Sequence, residues 1–294
     1  MFKAKFFLYF SICTKNEYNT IVVGVAFSPN LKANVFEALR MSILFDASLV
    51  MVHVGEKSTT KETALQKIIA DFPQSLPKYT VLWKAGQPAE VLLNACADEH
   101  ADLLILGALQ REGLLKYYIG SVARKLTRKC TCDVLLLIKP AVERLPCSFA
   151  VVNGLAHEKT EAAIARAFYV LHALGATRLT IVEEISEDAV AVKVDDDRGL
   201  RKSTIVKERI TLREGSRVKK ILSQVPEKLK RAVAHDVQPI FGRRGYSIGH
   251  FARVKRADLL VLNAPQKHSL WDRLFPHDLE YILSDLPTDV LIVR

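Results

Sequence analysis

ADLLILGALQREGLL, residues 101–115, returns as ADLLVLNAPQKHSLW, residues 257–271, and this recurrence decides how the chain is read. The two stretches lie 156 residues apart, and the register holds without a gap as far as Asp133-Val134-Leu135 against Asp289-Val290-Leu291. Similarity at a fixed offset marks a duplicated unit. Upstream the match loosens. TIVVGVAFSPN (20–30), the helical stretch Ala33–Phe45 and SLVMVHV (48–54) run parallel to SFAVVNGLAHE (148–158), Thr160–Leu174 and RLTIVEEI (178–185). Within each copy, short β-branched runs of the kind buried on both faces of a parallel sheet alternate with segments whose apolar residues recur at helical spacing. In copy one, strands are expected at 20–26, 48–54, 79–84, 102–107 and 133–138, and helices at about 31–45, 60–72, 87–99 and 118–129. This alternation predicts an α/β fold with a doubly wound parallel sheet in each of two tandem domains, residues 18–140 and 146–294, joined near Pro140–Pro146.

With 294 residues, 49% hydrophobic and 25% charged, the chain is long enough for two cores, and its composition excludes disordered, collagen-like and disulfide-scaffold classes. No apolar run approaches the roughly 18 residues of a membrane span, so no stable membrane insertion is expected. The opening MFKAKFFLYFSIC superficially resembles a signal peptide, with Lys3 and Lys5 ahead of the apolar Phe6–Cys13. No small-x-small cleavage site follows, and residues 1–17 are read as an N-terminal extension or a misplaced start. The formal charge of +10 is spread along the chain, which predicts a colloidal role rather than a specific nucleic-acid partner. Five cysteines without a C-x2-C pair fit a reducing compartment, the cytoplasm. Cys130-x-Cys132 could be a redox or metal pair, but it precedes the apolar run VLLLI and is read as buried thiols, with no metal site expected.

The residues also carry a family resemblance. VVGVAFSPN, the strand ending His53-Val54, Gly86-Gln87-Pro88 and the stretch ADLLILGA…GLLKYYIGSVARKL…CDVLLL resemble a UspA-like universal stress protein. The whole chain resembles a tandem member of that family, specific in copy one and looser in copy two. The resemblance implies adenine-nucleotide alpha hydrolase-like domains, each paired with the other through its last strand as an internal pseudo-dimer, with further homodimerisation open. It also implies that ATP, where bound, is held by G-x2-G-x9-G-[S/T] after the fourth strand and by an Asp at the end of the first. In copy one, Gly107, Gly120 and Ser121 match the first, third and hydroxyl positions, while Gln110 replaces the second glycine and Ala26 stands where the Asp would be. A Cβ and amide at position 110 obstruct backbone approach to phosphate oxygens. Gly120-Ser121 still opens a helix, with Arg124 and Lys125 one turn on.

Copy two departs further: Asn263, Gln266 and Pro276-His277 replace the glycines and the Gly-Ser pair, and Asp278 would repel a phosphate. It is expected to be a degenerate domain without nucleotide. Other motifs receive bland readings. Gly242-Arg243-Arg244-Gly245-Tyr246-Ser247-Ile248-Gly249-His250 offers an anion cradle before a helix, against an ordinary strand-to-helix turn. Asp195-Asp196-Asp197 point in different directions and read as a solvated loop reaching about Arg217. His250 and His277 lack a partner at motif spacing. Trp83, Trp271, Tyr117 and Tyr118 read as core or interface aromatics. Glu183-Glu184 face opposite sides of a strand and cannot form a catalytic pair. No nucleophile, triad, P-loop lysine or metal-ligand set is visible. The expected function is therefore a non-enzymatic stress-response protein with at most a weakened ATP site in copy one. The alternative is a nucleotide-independent module docking on a protein partner such as a membrane transporter.

Overall fold

A computed structural model of the chain describes residues 17–110, 117–190, 192, 194–243, 245–264 and 278–294. They fall into two compact units, one extending to Pro146 and including Arg294, the other Cys147–Val293. Among the described residues no helix is long and apolar enough to cross a membrane.

The first unit runs β1 (Thr20–Gly24), α1 (Leu31–Phe45), β2 (Ser48–Val54), α2 (Thr59–Ala70), β3 (Tyr79–Lys84), α3 (Pro88–Asp98), β4 (Leu103–Gly107), β5 (Leu109–Gln110), β6 (Tyr117–Tyr118), α4 (Ser121–Lys129) and β7 (Asp133–Leu137). Across the sheet the order is β7-β4-β1-β2-β3, every pairing parallel. The central strands are apolar on both faces because helices cover both, and residues such as Ile21, Val22, Leu104 and Leu136 are fully buried. β3 is outermost, and its YTVLWK is accordingly half-exposed. The strand and helix bounds follow the sequence expectations closely except at one place. Helix was expected from residue 118, but Tyr117 and Tyr118 pair antiparallel with Gln110 and Leu109, and α4 begins only at Ser121. Two consecutive aromatics before the buried Ile119 favour extended backbone.

The second unit runs β8 (Phe149–Asn153), α5 (Thr160–Leu174), β9 (Arg178–Ser186), α6 (Asp197–Leu222), α7 (Glu227–Ala232), β10 (Ala234–Gly242), α8 (Tyr246–Val254), β11 (Leu259–Asn263), α9 (Asp278–Ser284) and β12 (Asp289–Val293). Its order is β10-β9-β8-β11-β12, again parallel throughout. Pro239, which cannot donate to a ladder, sits on β10, whose pairing within the unit is with β9 alone. The segment after the aspartate run is not the expected solvated loop. Asp196 accepts a 2.6 Å hydrogen bond from the Gly199 amide and caps the 26-residue α6. Lys219 and Lys220 in its last turn complement the opposite pole.

The repeated ADLL motif has a structural cause. Asp102 Oδ2 accepts from the amides of Asn19 (2.8 Å) and Thr20 (3.0 Å), pinning the start of β1. Its counterpart Asp258 does the same for β8, accepting from the amides of Ser148 (2.8 Å) and Phe149 (2.9 Å) and from Ser148 Oγ (3.0 Å). In each unit the chain leaves the first strand toward one edge, then returns to its other side at β4 or β11. The loops at the carboxyl ends of those adjacent strands therefore diverge and open a crevice, where ligands of such sheets bind.

Candidate functional site

In the first unit the crevice lies beyond β1 and β4. Gly107 ends β4, and a Cβ there would stand 3.1 Å from Asn34 Oδ1 and 3.3 Å from Nδ2. Glycine is thus what lets the Asn34 amide, carried by α1, lie against the strand end. Asn34 Oδ1 is buried with no hydrogen-bond partner. Gly120 caps α4 with ordinary extended angles, φ −69° and ψ 173°. Its missing side chain serves close approach instead, since a Cβ would lie 3.0 Å from Leu109 Cδ1. Ser121 is the first, exposed residue of α4, so Gly107, Gly120 and Ser121 frame the β5–β6 hairpin at the same end of the sheet. The Gln110 side chain and residues 111–116 lie outside the described set. Of the two basic residues one turn on, Lys125 pairs with Glu90 Oε1 at 3.1 Å. Burial, and then the charge of Arg128, hold the Arg124 guanidinium below its ordinary value, an environment that favours an anion nearby.

Ala26, the position of the missing Asp, is exposed and contributes no polar group. Beside it an aromatic cluster closes the β2 side. Phe27 meets His53 edge-on at 5.0 Å and stacks on Trp83 at 6.3 Å, while His53 and Trp83 lie 5.0 Å apart. His53 Nδ1 is 2.9 Å from the Val25 carbonyl, which accepts its proton, and Nε2 is buried without a partner. Trp83, half-buried, is thus one of three rings packed against one another beside Ala26. His53, quoted only as part of a motif, turns out to point a spare polar atom inward.

The second unit fills the equivalent places differently. Asn263, at the position of Gly107, donates from Nδ2 to Thr160 Oγ1 at 3.0 Å and so ties the end of β11 to the start of α5. In the parallel registers Glu183 stands on β9 where His53 stands on β2. It lines a cleft of about 160 Å3 with Leu155, Ile185, Ile210, Arg213, Glu214 and Arg217. Glu183 is 2% exposed; its Oε1 is 3.5 Å from Arg217 Nη2, and its Oε2 has no partner. Arg217 is drawn elsewhere, to Glu214 Oε2 at 2.9 Å and to the Gly154 carbonyl. Burial pushes the Glu183 carboxyl up to about 7, with Arg217 opposing and Glu214 reinforcing the shift. Glu214, although partly desolvated, is held below the usual carboxylate range by Arg217 and Arg213. Sequence reading dismissed Glu183 with Glu184, and nothing in the local sequence shows that Arg217, 34 residues on, reaches it.

The neighbouring Glu184 does face the other way. Its Oε2 accepts from the Gly245 amide at 2.8 Å and its Oε1 from the Ile248 amide at 3.0 Å. That carboxylate occupies the amino end of α8, so residues 242–250 form the strand-to-helix turn, and the anion at the helix start is supplied by the protein itself. Gly245, at φ +76°, rather than Ser247 caps the helix. Arg243 lies over the Tyr281 ring at 4.5 Å, and His250 stacks on Tyr246 at 6.2 Å. Arg244, Gln266, Trp271, Pro276, His277 and the side chain of Asp278 lie outside the described residues.

With this geometry in hand, comparison with known proteins is direct. Residues 17–137 match the model of the universal stress protein family. A curated Thermus aquaticus protein, described as a universal stress protein in the QAH/OAS sulfhydrylase 3′ region, is 32% identical over 62 residues. That match covers 21% of this chain and spans 45% of the relative's length. Two crystal structures align over nearly the whole chain. A functionally unknown protein from Pseudomonas aeruginosa PAO1 gives a TM-score of 0.67 at 13% identity, over 95% of this chain and 94% of the other. A universal stress protein from Archaeoglobus fulgidus DSM 4304 gives 0.58 at 16% identity, over 94% and 96%. These likenesses establish the α/β fold with its parallel strands.

Proposed function

We propose that the chain is a non-enzymatic stress-response protein whose first unit, residues 18–140, holds an adenine nucleotide such as ATP with lowered affinity, while the second, residues 146–294, binds none. The observation that carries this reading is the pairing of Gly107 with the unpartnered Asn34 Oδ1 at the mouth of the crevice, opposite the Gly120-Ser121 helix start. A buried acceptor without a partner costs free energy, and a ribose hydroxyl of the nucleotide, which unlike its phosphate oxygens can donate, would recover it. Gly107, Gly120 and Ser121 take the phosphate side and Ala26 the base side, where Phe27, His53 and Trp83 supply an aromatic wall. In the second unit an asparagine side chain stands where the first has Gly107; Asn263 Nδ2 is tied to Thr160 while its Oδ1, like that of Asn34, is buried without a partner, so the difference between the mouths is the glycine and the Gly-Ser helix start. Its adjacent carboxylates Glu183 and Glu184 are turned to different surroundings, a buried cleft and a helix start, so they do not act as a pair.

The second reading, an interaction module that binds no nucleotide, is favoured by Ala26 and Gln110 and by Lys125 turning to Glu90. Titrating metabolite-free protein with ATP, ADP, AMP and cyclic nucleotides separates the two. Ala26→Asp together with Gln110→Gly should tighten ATP binding on the order of tenfold or more, since hydrogen bonds to charged groups contribute about 1.5–3 kcal/mol. Gly120→Val should abolish it. An unchanged affinity in the double variant, or no binding by either protein, would leave the docking module as the answer.

A further inference from the structure

Three thiols meet in the first unit, the neighbours Cys130 and Cys132 and, 34 residues before them, Cys96. Cys96 comes from α3, Cys130 closes α4, and Cys132 stands one residue before β7. All three are buried, and their Sγ atoms lie within 4.8 Å of one another, with Cys130 and Cys132 at 3.1 Å. The scaffold around them is fixed. The Cys130 amide donates to the Leu126 carbonyl at 2.8 Å, and the Asp133 amide donates to the Asp102 carbonyl at 3.1 Å. Among the described residues no fourth His, Cys, Asp or Glu ligand atom joins the group. The nearest carboxylate in sequence, Asp133, accepts from Tyr18 Oη at 2.7 Å and from the Arg294 amide at 2.9 Å.

A second observation bears on the charge these sulfurs carry. Arg294 packs with this unit, its guanidinium close enough to Cys130 and Cys132 to interact with their charge. One nitrogen of that group donates to the Thr127 carbonyl, while Nε is buried without a partner. Asp133 already supplies one negative charge to this guanidinium, and the guanidinium in turn favours thiolate over thiol at the sulfurs beside it.

We propose that Cys96, Cys130 and Cys132 form a three-thiolate site for one soft monovalent cation of the Cu(I) class. The chemistry selects the cation. An all-sulfur donor set favours soft metals, and a group of three without a fourth ligand leaves the tetrahedral demand of structural zinc unmet. Metal–thiolate bonds of about 2.3 Å place the sulfurs of a trigonal site roughly 4 Å apart, so Cys130 and Cys132 need to open by only about 1 Å. As three metal–sulfur bonds form, three S–H protons leave to solvent and no electron is transferred. The Arg294 guanidinium then offsets part of the negative charge of the complex. Thr131 and Lys129, flanking the cysteines, are exposed, so the site lies one residue beneath the surface and has a route inward.

The test uses the full chain, reduced and under nitrogen, with Cu(I) delivered in competition with a colorimetric chelator, alongside Cys13→Ala/Cys147→Ala and Cys96→Ala variants. The expected result is one tightly held Cu(I) per chain, X-ray absorption showing three sulfur neighbours and no lighter ligand, and an unaltered affinity in the Cys13/Cys147 variant. Losing one ligand should weaken binding on the order of a hundredfold in Cys96→Ala, with the far-ultraviolet circular dichroism of the apo-protein checked for folding. Failure of the parent chain to compete for Cu(I), fewer than three sulfur neighbours, or an affinity undiminished in folded Cys96→Ala would overturn the proposal. If Cys96→Ala does not fold, the parent spectrum and the Cys13/Cys147 variant decide it. Nucleotide binding enters none of these measurements.

Discussion

Glu183→Gln should stabilise the protein at alkaline pH and do nothing for it in acid. The Glu183 carboxyl is 2% exposed, receives one long contact from Arg217 at 3.5 Å and leaves Oε2 unpartnered, so its ionised form is poorly solvated in the fold. Its value rises from the ordinary 4.5 to about 7. At about 1.36 kcal/mol per unit, the ionised carboxylate costs the native state at most roughly 3.5 kcal/mol. The sign follows from proton counts. Between pH 4.5 and about 7 the native state holds a proton that the unfolded chain has lost, so stability falls as pH rises through this window and levels off above it. Glutamine keeps the shape, retains an acceptor for Arg217 and cannot ionise. Urea unfolding followed by circular dichroism at pH 4.5 and pH 8 should therefore show parent and variant nearly equal in acid. At pH 8 the variant should lead by about 2–3 kcal/mol, or roughly 5–10 °C in Tm for a unit of this size. A gap of equal size at both pH values, or no gap at pH 8, would refute the assignment of Glu183 as an uncompensated buried acid.

Glu184→Ala removes the carboxylate that accepts from the Gly245 and Ile248 amides, and should cost about 2–4 kcal/mol in chemical denaturation, much more than an exposed cap. Asp258→Ala, which strips three acceptor contacts from the start of β8, should cost about 2–3 kcal/mol, and Asp102→Ala, with two, somewhat less; equal and negligible losses in thermal melts would contradict the strand-pinning role.

Much of the fold is legible because its strands are buried on both faces. Runs such as LLILG and DVLLL admit few other structures, and the recurrence of ADLL at a fixed offset doubles the signal. Local competition explains the misses. Tyr117-Tyr118 continues an apolar pattern compatible with either helix or strand, and the partner across the hairpin decides it. The α6 segment has only Ser203 and Val218 buried along 26 residues, so it lacks the apolar stripe by which a helix is recognised and reads as a loop. At the site, the glycine positions can be placed from sequence, but their reasons cannot. Neither Gly107 nor Gly120 has positive φ, and both are required by what lies opposite. The Cys130-x-Cys132 pair is visible in the sequence, but the approach of Cys96 to it and the Glu183–Arg217 contact are not, because each joins residues separated by more than thirty positions.

Asn34 against Gly107, and Asn263 beside Thr160, place an amide at the same crevice from opposite walls. α1 and α5 are both 15 residues long, so the place of Asn34 is taken in α5 by Ala163, which is fully buried. One unit carries asparagine on the helix and glycine on the strand; the other carries alanine on the helix and asparagine on the strand. Neither can be converted into the other by a single substitution without passing through a worse intermediate. Changing Asn263 to Gly first removes the bond to Thr160 Oγ1 and leaves space at the end of β11, whereas changing Ala163 to Asn first forces a larger polar side chain into a fully buried position. The two mouths are therefore separated by an epistatic barrier. The Asn263–Thr160 bond and the buried Ala163 thus belong to the folding core of the second unit, and its mouth is kept in that arrangement by stability alone.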